Sequence, residues 1–405
     1  MKFLLLSLFL ASSLLAGTQI RVATFNTSLA LNSKGQLASA LRNGTNLRAR
    51  PVAEIIQLIE PDILALNEFD YDAGPTALTR FHNNYLAVSQ NGRPAQTYPY
   101  RYTAPSNTGI PSGFDLDNNG SVDTTPGDIT YGNDSYGFGE FEGKYGMAIL
   151  SKYPLDTAAI RTFQLFKWDA MPGNVIPADY YSPAEKAAIR LSSKSHWDVP
   201  IIIEGQRLHF LVSHPTPPVF DEMEDRNGRR NHDEIRLWAD YLTDASPAYL
   251  IDDKGVVGGI PGERFVIAGD QNADPIEGDS FQNAINQLLL HPLVDASVTP
   301  ERTGASSGAA RFHTATFDLR ADYVLPSKEG FSNLGGAVFW PTGSDPGANL
   351  LSASDHRPVY MDLELEPFPN EVVRDLGIIV SNGDATLRWQ GITGKTTVSK
   401  RATIF

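Results

Sequence analysis

Apolar residues recur along the chain in short runs that end on polar side chains able to bind metals or move protons. Ile20 to Phe25 is one such run and ends at Asn26, and Ile63 to Leu66 is another, delivering Glu68. Leu208 to Ser213 stops before His214 and Phe265 to Ala268 before Asp270. Tyr323 to Leu325 starts just after Asp322, and Pro358 to Leu365 just after Asp355 and His356. Runs of this length read as buried strands. Between the first two, Val52, Ile55, Ile56 and Ile59 stand at helical spacing, with Pro51 in a first-turn position and Pro61 as a stop. One polar residue at a strand end is ordinary turn chemistry. Repeated at successive ends, the pattern describes a site at one rim of a sheet stack.

Composition sharpens this picture. With 34 Gly, 27 Pro and 40 aromatic residues (20 Phe, 15 Tyr and 5 Trp, summed), the chain reads as sheet-rich with many turns. Residues 104–143, rich in Gly, Asp, Asn and Ser, and residues 164–199, which carry Trp168, Tyr180, Tyr181 and Trp197, read as insertions. Beyond Glu366, Pro367 and Pro369 read as a hinge. The alternation from Asp384 to Lys400 predicts a β-hairpin, either an edge element or the start of a truncated second domain, in residues 367–405. Residues 1–17 have the layout of a secretory signal peptide: Lys2, an apolar run from Phe3 to Leu10, then small residues. The rival reading is a membrane anchor, but the run is short of the roughly 20 residues a spanning helix needs. The expectation is therefore an exported chain with no transmembrane segment after processing. Zero cysteines exclude disulfides and thiolate metal sites. A formal net charge of −14 disfavours long polyanions such as nucleic acid, unless a local basic patch or metals hold them.

The segments around these strand ends are ATFNTS at Asn26, ALNEFD at Glu68, YGMAILSKYP from Tyr145, LVSHPTP at His214, IAGDQNADP at Asp270 and Asn272, RADYVLPS at Asp322, and SDHRPV at Asp355 and His356. In this order and spacing the sequence resembles the endonuclease/exonuclease/phosphatase family from about Ile20 to Leu365. The resemblance implies an α+β fold, a four-layer α/β/β/α sandwich of two mostly antiparallel sheets like that of deoxyribonuclease, over residues 18–366. It also implies metal-assisted attack of water on a phosphate ester. That chemistry must neutralise the ester's negative oxygens and activate water, so hard oxygen ligands around Mg2+ or Mn2+, with Ca2+ as a further option, are expected. Glu68 is the candidate main metal carboxylate, with Asn26 beside it and Asp355 completing the site or holding a second ion. By the same resemblance Asp270 orients or deprotonates the water and Asn272 donates to the phosphate. His356 would contact the scissile phosphate while Asp322 holds its other ring nitrogen, and His214 would stabilise the phosphate or protonate the leaving group. Abasic-site endonucleases place a tyrosine at the His214 position, so histidine tilts the reading away from DNA repair.

Three further features stay open at this level. Arg226, Arg229, Arg230 and His232 follow the His214 segment, just ahead of a helical period at Ile235, Trp238 and Leu242. Arg230 is the candidate phosphate ligand among them, and pairing with Asp221, Glu222, Glu224 and Asp225 is the alternative. The stretch DLDNNGSVD offers Asp115, Asp117 and Asn119 with Gly120 at the turn, the first half of a structural calcium loop. Its twelfth position is Pro126, so Asp123 or Asp128 would supply the missing carboxylate. His196 and Trp197 are candidates both for the cleft wall and for the core. The resulting expectation is a secreted phosphodiesterase or phosphatase of small or lipid-like organophosphates. A secreted nuclease is the second reading, and a calcium-dependent surface-binding module with an inactive catalytic domain is the third.

Overall fold

The computed structural model describes residues 17–243, 247–366 and three strand segments farther on. Residues 1–16 of the expected signal peptide 1–17, and the hinge expected at residues 367–369, lie outside the described residues. Twelve strands in the main body follow the chain as β1 (Gln19–Leu29), β2 (Ile63–Phe69), β3 (Tyr100–Tyr102), β4 (Met147–Ser151), β5 (Arg161–Thr162), β6 (His196–Ile203), β7 (Gln206–Ser213), β8 (Phe265–Asp270), β9 (Glu301–Arg302), β10 (Asp322–Pro326), β11 (Phe331–Val338) and β12 (Val359–Leu365). One sheet has the order β3-β4-β2-β1-β12-β11-β9 and the other β10-β8-β7-β6-β5. Pairing is antiparallel except at β1–β2, β7–β8 and β9–β11. Farther on, β13 (Asp375–Ser381), β14 (Asp384–Gln390) and β15 (Thr397–Thr403) pair antiparallel with one another, so the expected hairpin has a third strand ahead of it.

The strands read as near-continuous apolar runs because both faces are buried. Ile20, Val22, Ile63, Ala65, Met361 and Leu363 of the first sheet pack against Trp197, Val199, Phe210, Val212, Val266 and Val324 of the second. Residues of opposite parity, such as Phe25, Leu64 and Leu66, point outward. They meet Val52, Ile55, Ile56 and Ile59 of the helix Ala49–Ile59. Leu211, Phe265, Ile267 and Tyr323 likewise pack under Ile235, Trp238 and Leu242 of the helix Arg226–Leu242. The α/β/β/α sandwich follows from these three apolar layers.

Two local differences from the sequence reading bear on the strand ends. The helix ending at Leu242 begins at Arg226, so the arginines stand on its first turns instead of in a loop ahead of it. Strand β1 runs on to Leu29 through a register shift after Asn26, with Ser28 at φ 48°. Such an irregularity re-aims the residues beside it.

Gly269 shows how tightly the strand ends are drawn together. Its φ is 148°, and a Cβ there would sit 2.0 Å from the Ser213 carbonyl oxygen. Gly269→Ala is therefore expected to cost at least about 2 kcal/mol of stability, because neither the backbone angle nor the space accepts a side chain. A denaturant midpoint equal to that of the unmodified protein would refute this.

Candidate active site

Strand pairing delivers the functional side chains before any of them interact. The β1–β2 register sets Asn26 beside Asn67, with Glu68 next along β2, and the β8–β10 register sets Asp270 opposite Asp322. Asn67 Oδ1 accepts from the Asp270 backbone N at 3.1 Å, tying the ends of the two sheets. Asn26 Nδ2 crosses the same gap and donates to Asp270 Oδ2 at 3.0 Å. Two imidazoles approach that same oxygen, His214 Nε2 at 3.4 Å and His356 Nε2 at 3.6 Å. His356 Nδ1 lies 2.8 Å from Asp322 Oδ2, which also accepts from Thr314 Oγ1 at 2.7 Å.

Burial decides the charge states. Removal from water pushes the Asp270 carboxyl up to about 7, against the pull of His356. For His356, burial opposes the charged form, but the Asp322 and Asp270 carboxylates outweigh it and hold the imidazolium up to about 10. His214 goes the other way. Burial first, then the cations Lys194 and His356, press it well below the usual histidine range, leaving a neutral ring whose Nδ1 is buried without a partner. One charged and one neutral imidazole flanking one carboxylate is a division of labour suited to acid–base work.

Glu68 and Asp355 line the same cleft. Glu68 has φ 53°, a left-handed backbone that a glutamate rarely adopts. Burial raises its pKa, and among the described residues no cation lies within ion-pair distance of its carboxylate. Asp355 is pulled the opposite way: burial alone would raise it, but Ser28 Oγ donates to its Oδ1 at 2.6 Å and holds it low. A desolvated carboxylate without a protein cation is the donor a hard divalent ion requires, so Glu68, with Asn26 and Asp355, could hold such an ion. Asp270, Asp322 and His356 also cluster closely enough to ligate an ion. Their hydrogen bonds already occupy His356 Nδ1, and the three read better as a relay.

Asn272 has φ 51°. Its backbone N donates to Asp270 Oδ1 at 2.9 Å and its Nδ2 to the Pro215 carbonyl at 3.1 Å, which fixes it at the cleft. Arg230 also lines the cleft, but its Nε and Nη2 hold the backbone carbonyls of Leu191, Tyr136 and Arg190, so it serves first as a strut. The cation the sequence reading missed is Lys194. It is 6% exposed, lines the cleft, and has no ion pair within bonding distance among the described residues. Its signal was a lone lysine in a run of small residues, SSKS, just ahead of an apolar strand. Glu234 on the long helix positions this part of the site, accepting from the backbone N of Ser193 and of Thr216, both at 2.6 Å.

In the insertion, Asp115 and Asp117 are joined by Asp134, not by Asp123. Asp123 is engaged in turn bonds, accepting from Thr125 N and Thr130 Oγ1, while Asp128 caps a short helix. Asn119 accepts from the backbone N and Oγ of Ser121. His196 and Trp197 belong to the core, at 1% and 0% exposure, and His196 bridges Ser192 Oγ and the Glu234 carbonyl.

The chain belongs to the endonuclease/exonuclease/phosphatase family, whose model matches residues 23–356. It is accordingly a metal-dependent phosphoester hydrolase. Among solved structures it is similar to an endonuclease/exonuclease/phosphatase from Beutenbergia cavernae DSM 12333, at 18% identity, covering 95% of this chain and 89% of that one with a TM-score of 0.47. It is similar too to sphingomyelinase C from Streptomyces griseocarneus, at 18% identity, 85% and 99% coverage and a TM-score of 0.45. A third is the human Nocturnin catalytic domain with bound sulfate, at 14% identity, 86% and 95% coverage and a TM-score of 0.43. No curated protein matches the sequence.

His196 supplies a stability test of the electrostatics. Burial, against weaker opposition from Glu234, lowers its pKa to about 4. A histidine depressed in the folded state contributes its full stability above its unfolded pKa of about 6.5, and that share is lost as pH falls toward 4. His196→Gln is expected to remove on the order of 3 kcal/mol of that acid sensitivity, read from denaturant midpoints across pH 7 to 4. An unchanged acid slope would contradict the assignment.

Proposed function

We propose that the protein is an exported phosphodiesterase or phosphatase acting on small or lipid-like organophosphates. The observation that carries this reading is the lining of one cleft of about 910 Å3. It gathers Glu68, Lys194, His214, Asp270, Asn272 and His356 and is lined as well by Leu116, Ile129, Phe138, Val219, Phe220 and Phe317, the Phe317 ring lying 5.3 Å from that of His356. Polar reacting groups beside apolar lining suit a phosphate ester with an apolar substituent. No described helix is long and apolar enough to cross a membrane.

When bound, a divalent ion at Glu68, Asn26 and Asp355 would polarise the phosphate and lower the pKa of water. Asp270, buried and raised toward neutrality, takes the proton from the attacking water. Lys194, Asn272 and the charged His356 neutralise the phosphate oxygens as negative charge builds, in a site from which water is largely excluded. Asp322 keeps His356 protonated and oriented through Nδ1. His214, neutral and against Asp270 Oδ2, hydrogen-bonds to the phosphate or leaving group. Asp115, Asp117 and Asp134 are proposed to hold a structural Ca2+ that orders the insertion, which contributes Leu116, Asp117, Ile129 and Phe138 to the lining of the cleft.

Glu68→Ala, Asp270→Ala and His356→Ala are each expected to lower turnover of bis(p-nitrophenyl) phosphate at least about a hundredfold, the scale of losing a key electrostatic or acid–base group. EDTA should abolish turnover and Mg2+ or Mn2+ restore it. Undiminished rates in any of the three variants would remove that residue's role. Plasmid DNA cleaved faster than the small diester, with steep salt dependence, would replace the reading with a nuclease. For the insertion, Ca2+ at about 100 times its dissociation constant should stabilise the protein by about 2.7 kcal/mol, and Asp117→Asn should erase the effect. Equal melting curves with and without Ca2+ would dismiss the structural ion.

A further inference from the structure

A second pocket, of about 800 Å3, shares Asp355 with the catalytic cleft and is lined on its polar side by Ser28, Arg48, Thr316, Ser354 and Arg357. Arg357 is 5% exposed. Its Nη1 donates to the carbonyl oxygens of Ser354 at 2.7 Å and His356 at 2.8 Å, while its Nε is buried without a partner. Its guanidinium stands 4.5 Å from the centre of the Trp340 ring, and that of Arg302 stands 3.5 Å from the same ring. Among the described residues neither arginine has a carboxylate within ion-pair distance, and Arg302 Nη2 is also buried without a partner.

This is an unusual arrangement for a chain with 47 acidic and 33 basic residues. Burying a guanidinium with no carboxylate in ion-pair contact is costly, and for Arg357 the Asp355 and Asp322 carboxylates only partly oppose that cost from farther away. Arg48 is the second cation that lines the pocket, exposed and tethered by Nη2 to the Ser28 carbonyl, with no ion pair among the described residues. The helix Ala49–Ile59 starts here too, but Asn46 already accepts from the backbone N of Ala49 and of Arg50, so the arginines, not the helix end, supply the attraction. Ser28 Oγ already donates to Asp355 and Ser354 Oγ to the Asn26 carbonyl, so the donors left for a tetrahedral oxyanion are the two guanidinium groups and the Thr316 hydroxyl.

We propose that this pocket is a second anion subsite, which takes an uncleaved phosphate group of the substrate while another is cleaved beside Asp270. The preferred substrates are then small organophosphates carrying two phosphate groups. The inference rests on the phosphoesterase reading for the place of the scissile group. It rests on that reading also for Asp355, whose charge a bound metal would answer.

The test compares two chromogenic diesters with the same scissile bond, thymidine 5′-(p-nitrophenyl phosphate) and its 3′-phosphorylated form, by release of p-nitrophenolate in Mg2+. The 3′-phosphate should lower KM at least about tenfold, the scale of one or two charge-assisted hydrogen bonds. Arg48→Ala, a change at an exposed residue, should abolish that preference and leave kcat on bis(p-nitrophenyl) phosphate unchanged. Equal KM values in the unmodified protein, or a preference that survives Arg48→Ala, would overturn the subsite while the phosphoesterase stands. If neither diester nor bis(p-nitrophenyl) phosphate is hydrolysed, the phosphoesterase reading falls, and calorimetric titration with inorganic sulfate decides the pocket alone. Affinity at least about fivefold weaker in Arg48→Ala supports it, since the lost contact is charge-assisted. Equal affinities would refute it.

Discussion

One carboxylate oxygen, Asp270 Oδ2, holds the site together. It is out of contact with water, and an unanswered charge there would cost several kcal/mol. The answer comes from three directions: Asn26 on the first sheet, His214 at the end of β7, and His356 from the segment before β12. None of these donors is near Asp270 in sequence. Satisfying the carboxylate therefore requires the two sheets to meet at this rim with their strand ends level, a condition that Asn67 reinforces from the backbone of Asp270. The desolvation that makes the group reactive and the convergence that positions its neighbours are the same event.

The cost of that convergence shows in the backbone. Ser28, Glu68, Tyr145 and Asn272 all take left-handed φ values, and all but Ser28 line the catalytic cleft, with Ser28 bonded to Asp355 beside it. Non-glycine residues are held in such conformations only when their surroundings over-determine them. The strain here is local, since the strands leading to these residues are regular and packed on both faces.

The strands and the outer helix beneath the first sheet were legible because each is a local signal: an apolar run of fixed length, a 3.6 period, a proline stop. The candidate residues were legible because they flank those runs in the order the family resemblance implies, so Asn26, Glu68, His214, Asp270, Asp322 and His356, which the fold brings to one rim, could be picked out in one dimension. Partnerships made across the chain could not be read in this way. Lys194 carries no periodic mark, and its importance comes only from being buried opposite Glu68 and Asp270. Asp134 lies outside the expected calcium loop, and only the fold brings it to Asp115 and Asp117. Arg230 had the right residue type in the right neighbourhood, but whether its donors face solvent or backbone carbonyls is a tertiary question. His196 was ambiguous for the same reason, since polar residues in a strand cannot reveal which of two buried faces will satisfy them.

The net charge and the buried cations act over different distances, which reconciles an acidic protein with anionic substrates. At physiological ionic strength a surface charge is largely screened beyond about 8 Å. The chain's excess of carboxylates thus weighs on a long polyanion, which must lie along many of them, and hardly on a small molecule that enters the cleft. Lys194, His356 and Arg357 sit where solvent screens least, so their attraction is concentrated on groups that reach them. Under the proposed function, with a divalent ion answering the Glu68 and Asp355 carboxylates of the same cleft, a substrate whose phosphates all fall within that enclosed region would feel the cations and escape the surface. One that extends past it feels mostly the repulsion. Under the proposed function, selection by size and selection by charge would be one physical effect, set by how far the protein walls extend around the site.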